Sequence, residues 1–362
     1  MQPSTFIALL RSRTVGGVRN ISKSCSLTRI LLVLILSAGH GCASAEQTNF
    51  QVNGFSPDNR YLSLDICSKS DCQAILLDWR SGSFTRLEPT DSDQALTSAR
   101  YSPSGKHLAV AVKRISDKFR TTQLGLFDLK TKKLRVLTNT PTHKDAPSFS
   151  PDEKRLIFMY AGRERESGKT RFSQWDIHDL DIATGKERAL TDFKFFLIGK
   201  PFYLPDGKRF VFSGEGTNRF NGKVGIDAHH AYKEKYHDNT VFVRAPESTE
   251  LSPAFTNGKD TSGPRITRDG RVAYVAITNE MDDIVGGYFN YDIFLYENGK
   301  HRRLTKLKTI LYGMEISVDG ALIAYVSDPK RDRNKQLFVM NVVDGQHKKI
   351  ELPLDRLFDR KP

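Results

Sequence analysis

The chain has 362 residues, a formal net charge of +13 and four cysteines. Its Lys and Arg residues are spread through predicted turns, and the sequence contains neither a recognition-helix signature nor an RNA-binding motif, which argues against a nucleic-acid partner. A chain of this length exceeds the usual size of a single domain. It can still form one domain if the fold grows by repeating one unit.

Residues 1–45 have the pattern of an export signal. They contain five Lys and Arg residues and no acid, followed by the apolar run Ile30–Leu36 and then small residues. The run is shorter than the roughly 20 apolar residues that span a bilayer, so a cleaved signal peptide is predicted. Cleavage after Ala45 would start the mature chain at Glu46 and leave a net charge of +8. The predicted location is periplasmic or secreted.

Cys42 offers a second processing route. It follows Gly41, and its lipidation would convert the protein into a membrane-anchored lipoprotein whose signal is cleaved before Cys42. The motif is only partly matched, because Gly39 stands where bacterial lipoprotein signals usually carry an aliphatic residue. Both routes take the protein out of the cytoplasm.

Six copies of one turn motif occupy the rest of the chain. Each copy has an aromatic or β-branched residue, then Ser-Pro-Asp-Gly or a variant of it, and then a short apolar run. The copies begin at Phe55, Tyr101, Phe149, Tyr203, Ile266 and Ile316, at spacings of 46 to 63 residues. Pro favours the φ angle of the second turn position, and Asp, Asn and Gly tolerate the conformations that close a hairpin. The segments on both sides of each turn are therefore predicted strands.

Each copy then contains a second hairpin, which ends near Leu-Thr, as in IFLYENGKHRRLT from Ile293 to Thr305. Two hairpins make four antiparallel strands, and about 40 to 50 residues for four strands is the size of a propeller blade. The sequence thus predicts an all-β fold, with residues 46–362 forming one six-bladed propeller of four-stranded antiparallel blades. The first and last blades each supply four strands, so the ring is predicted to lack a shared-strand clasp. A closed ring leaves few exposed strand edges, which favours a monomer.

These repeats resemble the TolB-like propeller repeat, a WD40-like (PD40) unit that is also found in the propellers of prolyl oligopeptidase relatives. The resemblance covers about residues 46–352. Those relatives carry serine hydrolase chemistry on a separate α/β domain, but this sequence has no Gly-x-Ser-x-Gly elbow and only ten residues after Leu352. TolB itself has an additional α/β domain before its propeller, whereas here blade one is expected directly after the leader.

Cys67 and Cys72 flank the predicted middle turn of blade one, with four residues between them. Two strands that meet at so short a loop bring their first residues face to face, within the Cα separation that a disulfide requires. An exported protein also meets oxidising conditions, so a Cys67–Cys72 disulfide is predicted.

The longest irregular segments are predicted to be loops between second and third strands, all on one face around the channel mouth. They are 162–175, 213–239 and 279–292. Insertions confined to one face mark it as the binding face. The blade-four insertion contains Asp227, His229 and His237, which are candidate ligands of a divalent metal. The alternative for these three residues is an ordinary polar surface loop.

Two other groups in these segments are candidate binding residues. Tyr288, Phe289 and Tyr291 would be platforms for a peptide or a sugar ring if exposed, or blade-packing residues if buried. The same alternatives apply to the phenylalanines of 193–196, which connect blades three and four. Arg163 and Arg165 would bind a ligand carboxylate or phosphate, or belong to a solvated charged hairpin.

The predicted function is a binding scaffold for an envelope protein or peptide, which contacts the loop-rich face, with no cofactor. The alternative is a carbohydrate-active enzyme, a metal-assisted lyase or hydrolase that acts on acidic oligosaccharides through the His/Asp cluster. An anionic polysaccharide is the corresponding alternative partner.

Overall fold

The computed structural model describes residues 49–68, 71–89, 91–117, 121–166, 169–217, 240–246, 248, 252–253, 261–278, 290–330 and 334–352. Residues 46–362 form one compact unit. The described residues form 25 β-strands and no helix. In that part of the chain there is accordingly no helix long and apolar enough to cross a membrane.

The strands form six antiparallel blades of four, in chain order. Blade one has β1 (Asn49–Phe55), β2 (Tyr61–Ser68), β3 (Asp71–Asp78) and β4 (Phe84–Arg86). Blade two has β5 (Gln94–Tyr101), β6 (His107–Arg114), β7 (Thr122–Asp128) and β8 (Leu134–Val136). Blade three has β9 (His143–Phe149), β10 (Arg155–Glu166), β11 (Lys169–Asp181) and β12 (Glu187–Ala189).

An additional strand, β13 (Phe195–Ile198), lies between blades three and four. Blade four has β14 (Phe202–Tyr203), β15 (Phe210–Thr217), β16 (Thr240–Arg244) and β17 (Ser252–Pro253). Blade five has β18 (Thr261–Ile266), β19 (Val272–Ile277), β20 (Tyr291–Glu297) and β21 (Lys300–Arg303). Blade six has β22 (Ile310–Ile316), β23 (Leu322–Asp328), β24 (Gln336–Asn341) and β25 (His347–Ile350). The predicted six-bladed propeller is confirmed.

The six repeat turns share one backbone conformation. The fourth residue after each repeat start has φ between 59° and 87°, whether it is Gly or not; the six are Asn59, Gly105, Glu153, Gly207, Gly270 and Gly320. The Ser56 hydroxyl donates to Asp58 Oδ1 at 2.5 Å and accepts from the Tyr61 N–H at 2.8 Å. Ser and Asp of the motif therefore close the turn together, which explains their recurrence.

The Leu-Thr signature also has a structural cause. In blade three the Thr191 hydroxyl donates to Asp176 Oδ1 at 2.6 Å and accepts from the Ile177 N–H at 2.8 Å. Blade five repeats this arrangement with Thr305 and Asp292, at 2.9 Å. In these two blades the threonine connects the end of the blade to its third strand, and so satisfies polar groups that blade packing buries.

The ring closes by packing of blade one against blade six. Their buried side chains form one apolar cluster that includes Leu64, Leu77, Val326 and Leu337. In the described strands, β1 pairs with β2 and β25 pairs with β24, so neither terminal strand is shared between blades. The clasp-free closure is confirmed, and the Asn59 amide adds a side-chain hydrogen bond to Asp319 of blade six at 2.7 Å.

Several segments differ from the sequence-based expectation. Of the predicted loops 213–239 and 279–292, residues 213–217 belong to β15 and 291–292 to β20, whereas 218–239 and 279–289 lie outside the described residues. Residues 162–175 are not an irregular loop, because β10 and β11 continue as an antiparallel ladder, with one register shift between Ala161 and Gly162, up to the pair Glu166 and Lys169. Glu164 pairs in register with Arg171 within this ladder. The connection into blade four contains β13, which pairs with both β11 and β15 and joins blades three and four into one sheet.

The predicted disulfide is present: Cys67 and Cys72 face each other across β2 and β3 and are bonded. The phenylalanines around β13 that are described, Phe193 and Phe195, are 8% and 1% exposed and pack in an aromatic cluster with Phe212. These two are therefore packing residues rather than platforms. The side chain of Phe196 lies outside the described residues.

Candidate functional site

The residue immediately before each repeat start lies in the innermost strand of its blade. The six are Gly54, Arg100, Ser148, Phe202, Arg265 and Glu315. Arg100 of blade two places Nη2 2.7 Å from Glu315 Oε2, and Arg265 of blade five places Nε 2.8 Å from Oε1 of the same carboxylate. Side chains from blades two, five and six can meet in this way only near the axis of the ring.

Lys200 completes this group, which we call the charge layer: Arg100, Lys200, Arg265 and Glu315. The Lys200 Nζ lies 3.6 Å from Glu315 Oε1, 2.8 Å from Asn53 Oδ1 and 3.3 Å from the Val52 carbonyl oxygen. The Glu315 side chain is 1% exposed and the Arg265 side chain 7%. Three cations therefore surround one buried carboxylate in the channel.

The two guanidinium groups lie beside a glycine, Gly54, and an aromatic ring, that of Phe202. Both contact the ring of Phe202, at 4.5 Å from the centroid for Arg100 and 4.9 Å for Arg265. Gly54 faces Arg100, and a Cβ at this position would lie 3.5 Å from its Nη1. A side chain longer than alanine at Gly54 would thus compete with Arg100 for space, while Phe202 offers both cations a favourable ring face.

The channel environment shifts the pKa values of its ionisable groups. Burial raises the pKa of Glu315, but attraction to Arg100, Arg265 and Lys200 outweighs burial and holds the pKa below its usual value. Burial lowers the pKa of Lys200 to about 8, against the opposing attraction of Glu315. Asp65, beside the layer, has its pKa raised to about 6, mainly by burial. At neutral pH the layer keeps its single anion, and Lys200 titrates within one or two units.

A cavity of about 450 Å³ lies on the side of the layer where the inner strands begin; we call it the upper cavity. Lys200 and Arg265 line its base. Its other described lining is largely apolar, with Ala146, Met159, Leu197, Ile198, Val275, Ile310, Leu311 and Met314. This cavity opens toward the face that was predicted to bind a partner.

A second cavity, of about 270 Å³, lies on the side of the repeat turns; we call it the lower cavity. Arg100, Phe202 and Ser148 reach it from the inner strands, and Pro57, Pro103, Pro151 and Pro205 of the turns surround it. Because Arg100 and Arg265 contact the same carboxylate from opposite cavities, the charge layer lies between the two.

Backbone irregularities shape the wall of the upper cavity. Ser98 and Ala146 have φ of 51°, at bulges in β5 and β9 where the pairing register shifts. The Ser98 N–H donates to Asp65 Oδ1 at 3.0 Å and Oδ2 at 2.9 Å, and its hydroxyl donates to Asp145 Oδ1 at 2.5 Å. The bulges thereby place polar groups in an otherwise apolar wall.

Gly199 positions Lys200. Its N–H donates to the Ser213 carbonyl oxygen at 2.8 Å, and a Cβ at this position would collide with the Ser213 hydroxyl. Glycine therefore lets the connection from β13 to β14 approach β15 without displacing the Ser213 hydroxyl, and this approach directs Lys200 into the channel.

No protein-family model and no curated protein matches the sequence. Solved structures do match. TolB from Acinetobacter baumannii has a TM-score of 0.53 and 17% sequence identity, over 83% of this chain. In fold, the chain is similar to the TolB propellers. It spans 63% of the length of that TolB chain.

Enzyme propellers match the fold equally well. An oligogalacturonate lyase in complex with manganese has a TM-score of 0.54 and 16% identity, over 83% of this chain and 78% of the lyase. The β-propeller domain of the Trilobed protease from Pyrococcus furiosus, described as an open velcro topology, has a TM-score of 0.50 and 14% identity, over 85% and 83%. At such identities the likeness to TolB and to these enzymes concerns the fold alone.

The structure brings one predicted binding residue to the channel. Tyr291, the first residue of β20, lines the upper cavity and donates its N–H to the Thr309 carbonyl oxygen at 3.0 Å. Tyr288, Phe289, Asp227, His229, His237 and Cys42 lie outside the described residues. Arg163 and Arg165 belong to β10, away from the inner strands, and their side chains lie outside the described part. Among the described residues no group of three or more His, Cys, Asp and Glu could hold a metal.

The charge layer was missed by the sequence analysis, although a signal for it exists. The position before each repeat start holds Arg in copies two and five and Glu in copy six. In a closed propeller these equivalent positions converge on the axis, so opposite charges there predict an ion-paired channel. Lys200 has no such signal, because it follows the additional strand that only the structure reveals.

Proposed function

We propose that this protein is an exported propeller scaffold that takes a peptide segment of an envelope protein into its upper cavity. The observation that supports this is the cavity itself, with a volume of about 450 Å³, apolar walls and a few converging polar groups. Binding pockets usually combine an apolar lining with a small number of placed polar groups and a volume of about 300 to 1,000 Å³. The long apolar wall suits amino-acid side chains.

Exposed apolar residues at the cavity support a protein ligand. Leu197 and Tyr312 both line the upper cavity and are 48% and 39% exposed. The Ser262 hydroxyl and the Gln51 amide also line the upper cavity and can hydrogen-bond a peptide backbone. Association of a segment here would cover apolar surface and pair these polar groups.

The proposal that the protein is exported is based on the leader of residues 1–45. The predicted PD40 membership and the predicted location are based on the sequence patterns. The intact mass of protein recovered from the envelope of an expressing bacterium tests both processing routes. A chain that begins at Glu46 supports the soluble periplasmic form, and a diacylated chain that begins at Cys42 supports the anchored form. A chain that retains the whole leader in the cytosol would contradict export.

The binding function is tested with residues 46–362 and a library of random hexapeptides, read by affinity selection and mass spectrometry. Ser262→Trp places a large side chain in the upper cavity, and Ser83→Trp places the same side chain on an exposed turn of blade one as the control. We expect peptides that bind wild type and the control but lose at least ten-fold affinity for Ser262→Trp. No selected peptide, or equal binding to both variants, would overturn the proposal.

A further inference from the structure

We infer that the upper cavity recognises the C-terminal carboxylate of its peptide partner, with Arg265 and Lys200 as the recognising cations. This inference rests on the proposed function, since it states which end of the peptide reaches the base of the cavity. Its first support is the charge layer, in which three cations surround the single carboxylate of Glu315. The carboxylate of a bound peptide would be the second one at this site, where the cations are in excess.

The guanidinium groups of Arg265 and Arg100 have N–H donors that no hydrogen bond within the described residues uses. A guanidinium has five N–H donors in a planar fork that fits a carboxylate. Arg265 uses Nε toward Glu315 and Nη1 toward the Pro264 carbonyl oxygen at 2.8 Å, and within the described residues no hydrogen bond uses Nη2. The Arg100 guanidinium has its ion pair with Glu315 and its contact with Phe202, and makes no hydrogen bond to another described residue. Arg265 lines the upper cavity, where a ligand can reach it.

The walls select among anionic ligands. Ile198, Val275 and Met314 are buried and apolar, which suits the side chain of a terminal residue better than a sugar ring with several hydroxyls. Asp145 adds a carboxylate to the lining of the same cavity, so a ligand with several negative charges meets like charge there as well as the cations. A ligand with a single carboxylate at the end of an apolar segment fits both the cationic base of the cavity and its apolar lining.

The test uses two hexapeptide libraries of identical composition, one with free C-terminal carboxylates and one with C-terminal amides, against wild-type residues 46–362. We expect binders from the acid library to lose at least ten-fold affinity when resynthesised as amides. Binders that depend on the cavity but bind equally as acid and amide would overturn the inference and leave the proposed function intact. Amide binders that need an internal Asp or Glu would also overturn it, in favour of a side-chain carboxylate.

Two variants give opposite expected effects, which a purely structural role would not produce. Arg265→Gln removes the recognising fork and should weaken the selected acid peptide at least ten-fold. Glu315→Gln removes the anion that competes for the same donors and should strengthen binding several-fold. Circular dichroism melting establishes that each variant is folded, and the acid and amide comparison on wild type decides the question if either is not. Equal weakening of acid and amide by Arg265→Gln would contradict recognition of the carboxylate.

A third arm uses tri-galacturonate as a competitor of the selected peptide. We expect no displacement at millimolar concentration, because Asp145 disfavours a polyanion. Displacement with an affinity equal to or above that of the acid peptide would overturn the inference in favour of an acidic sugar.

Discussion

Arg100 of β5 and Glu315 of β22 meet near the axis of the ring, with Nη2 2.7 Å from Oε2, although 215 positions separate them in the chain. Arg265 and Lys200 approach the same carboxylate from blade five and from the connection into blade four. Loss of the only anion of this layer would leave three cations facing one another with little solvent. The layer therefore couples four parts of the chain through one residue.

Glu315→Gln should lower the free energy of unfolding by about 3 kcal/mol or more, the usual cost of removing one partner of a buried ion pair. Urea denaturation at pH 7 measures this change. Glu351→Gln is the matched control, because Glu351 pairs with Lys349 at 2.8 Å but its side chain is 81% exposed. The control should lose less than about 1 kcal/mol. Equal small losses for both variants would show that the layer contributes little to stability.

Asp65→Asn tests the raised pKa beside the layer. Burial raises the pKa of Asp65 to about 6 from 3.8, so the folded state binds a proton that the unfolded state releases between these values. Stability relative to the Asn variant should therefore fall as pH rises from 4 to 6.5, by up to about 3 kcal/mol, and then level off. Urea denaturation of both proteins at four pH values measures the difference.

Asp93→Asn is the comparison with opposite sign. Hydrogen bonds from Ser116 hold the pKa of Asp93 below its usual value of 3.8, so wild type should gain stability over this variant as pH rises from the lowered pKa through 3.8, and the gain should level off above about pH 5. A wild-type advantage over Asp65→Asn that stays constant with pH would contradict the burial of an ionisable Asp65.

The fold could be predicted because the turns and hairpins of each repeat are determined by residues close together in the sequence. Pro57 and Asp58 close their turn by short-range geometry, and Thr191 is the ordinary end of a blade hairpin. The pairing of β1 only with its own blade follows from counting strands in each copy. Information of this kind lies within a few residues, so it can be read without tertiary contacts.

The site could be predicted only in part, because it arises between blades. Arg100, Arg265 and Glu315 occupy equivalent repeat positions, so their convergence could have been inferred from the repeat alignment. Lys200 could not, since its direction depends on β13 and on the approach of Gly199 to Ser213. The extension of β10 and β11 was missed because the irregular length of this segment was taken as a sign of a loop.

The Cys67–Cys72 bond should contribute modestly to stability. It closes a loop with a sequence separation of only 5, so the entropy that it removes from the unfolded chain corresponds to at most about 2 kcal/mol. Cys67→Ser/Cys72→Ser should remain folded, with a similar urea m-value and a loss within this limit. Urea denaturation of oxidised wild type and of the double variant checks this, and a variant that fails to fold would assign the bond a larger role.

Lys200 should make peptide binding depend on pH. Burial lowers its pKa to about 8, and a bound carboxylate would favour the ammonium form, so binding takes up a proton above that pH. Glu315 and Asp65 also attract this ammonium group, whereas Arg100 and Arg265 repel it. The affinity of a selected acid peptide should fall by up to about ten-fold per pH unit above pH 8, because each bound peptide takes up one proton. Calorimetric titrations at pH 7, 8 and 9 measure it. Lys200→Met should abolish this dependence, and a dependence that persists in the variant would assign it to another group.

Metal analysis separates the scaffold from the enzyme alternative. Purified residues 46–362 and the variant His229→Ala/His237→Ala are compared by plasma mass spectrometry after dialysis against trace manganese and zinc. For a scaffold we expect well below one metal ion per chain in both proteins, because a recruited peptide requires no Lewis acid. A stoichiometric ion in wild type that is lost in the variant would show that the blade-four histidines form a metal site. Carbohydrate lyase or hydrolase activity on acidic oligosaccharides would then replace peptide binding as the leading hypothesis.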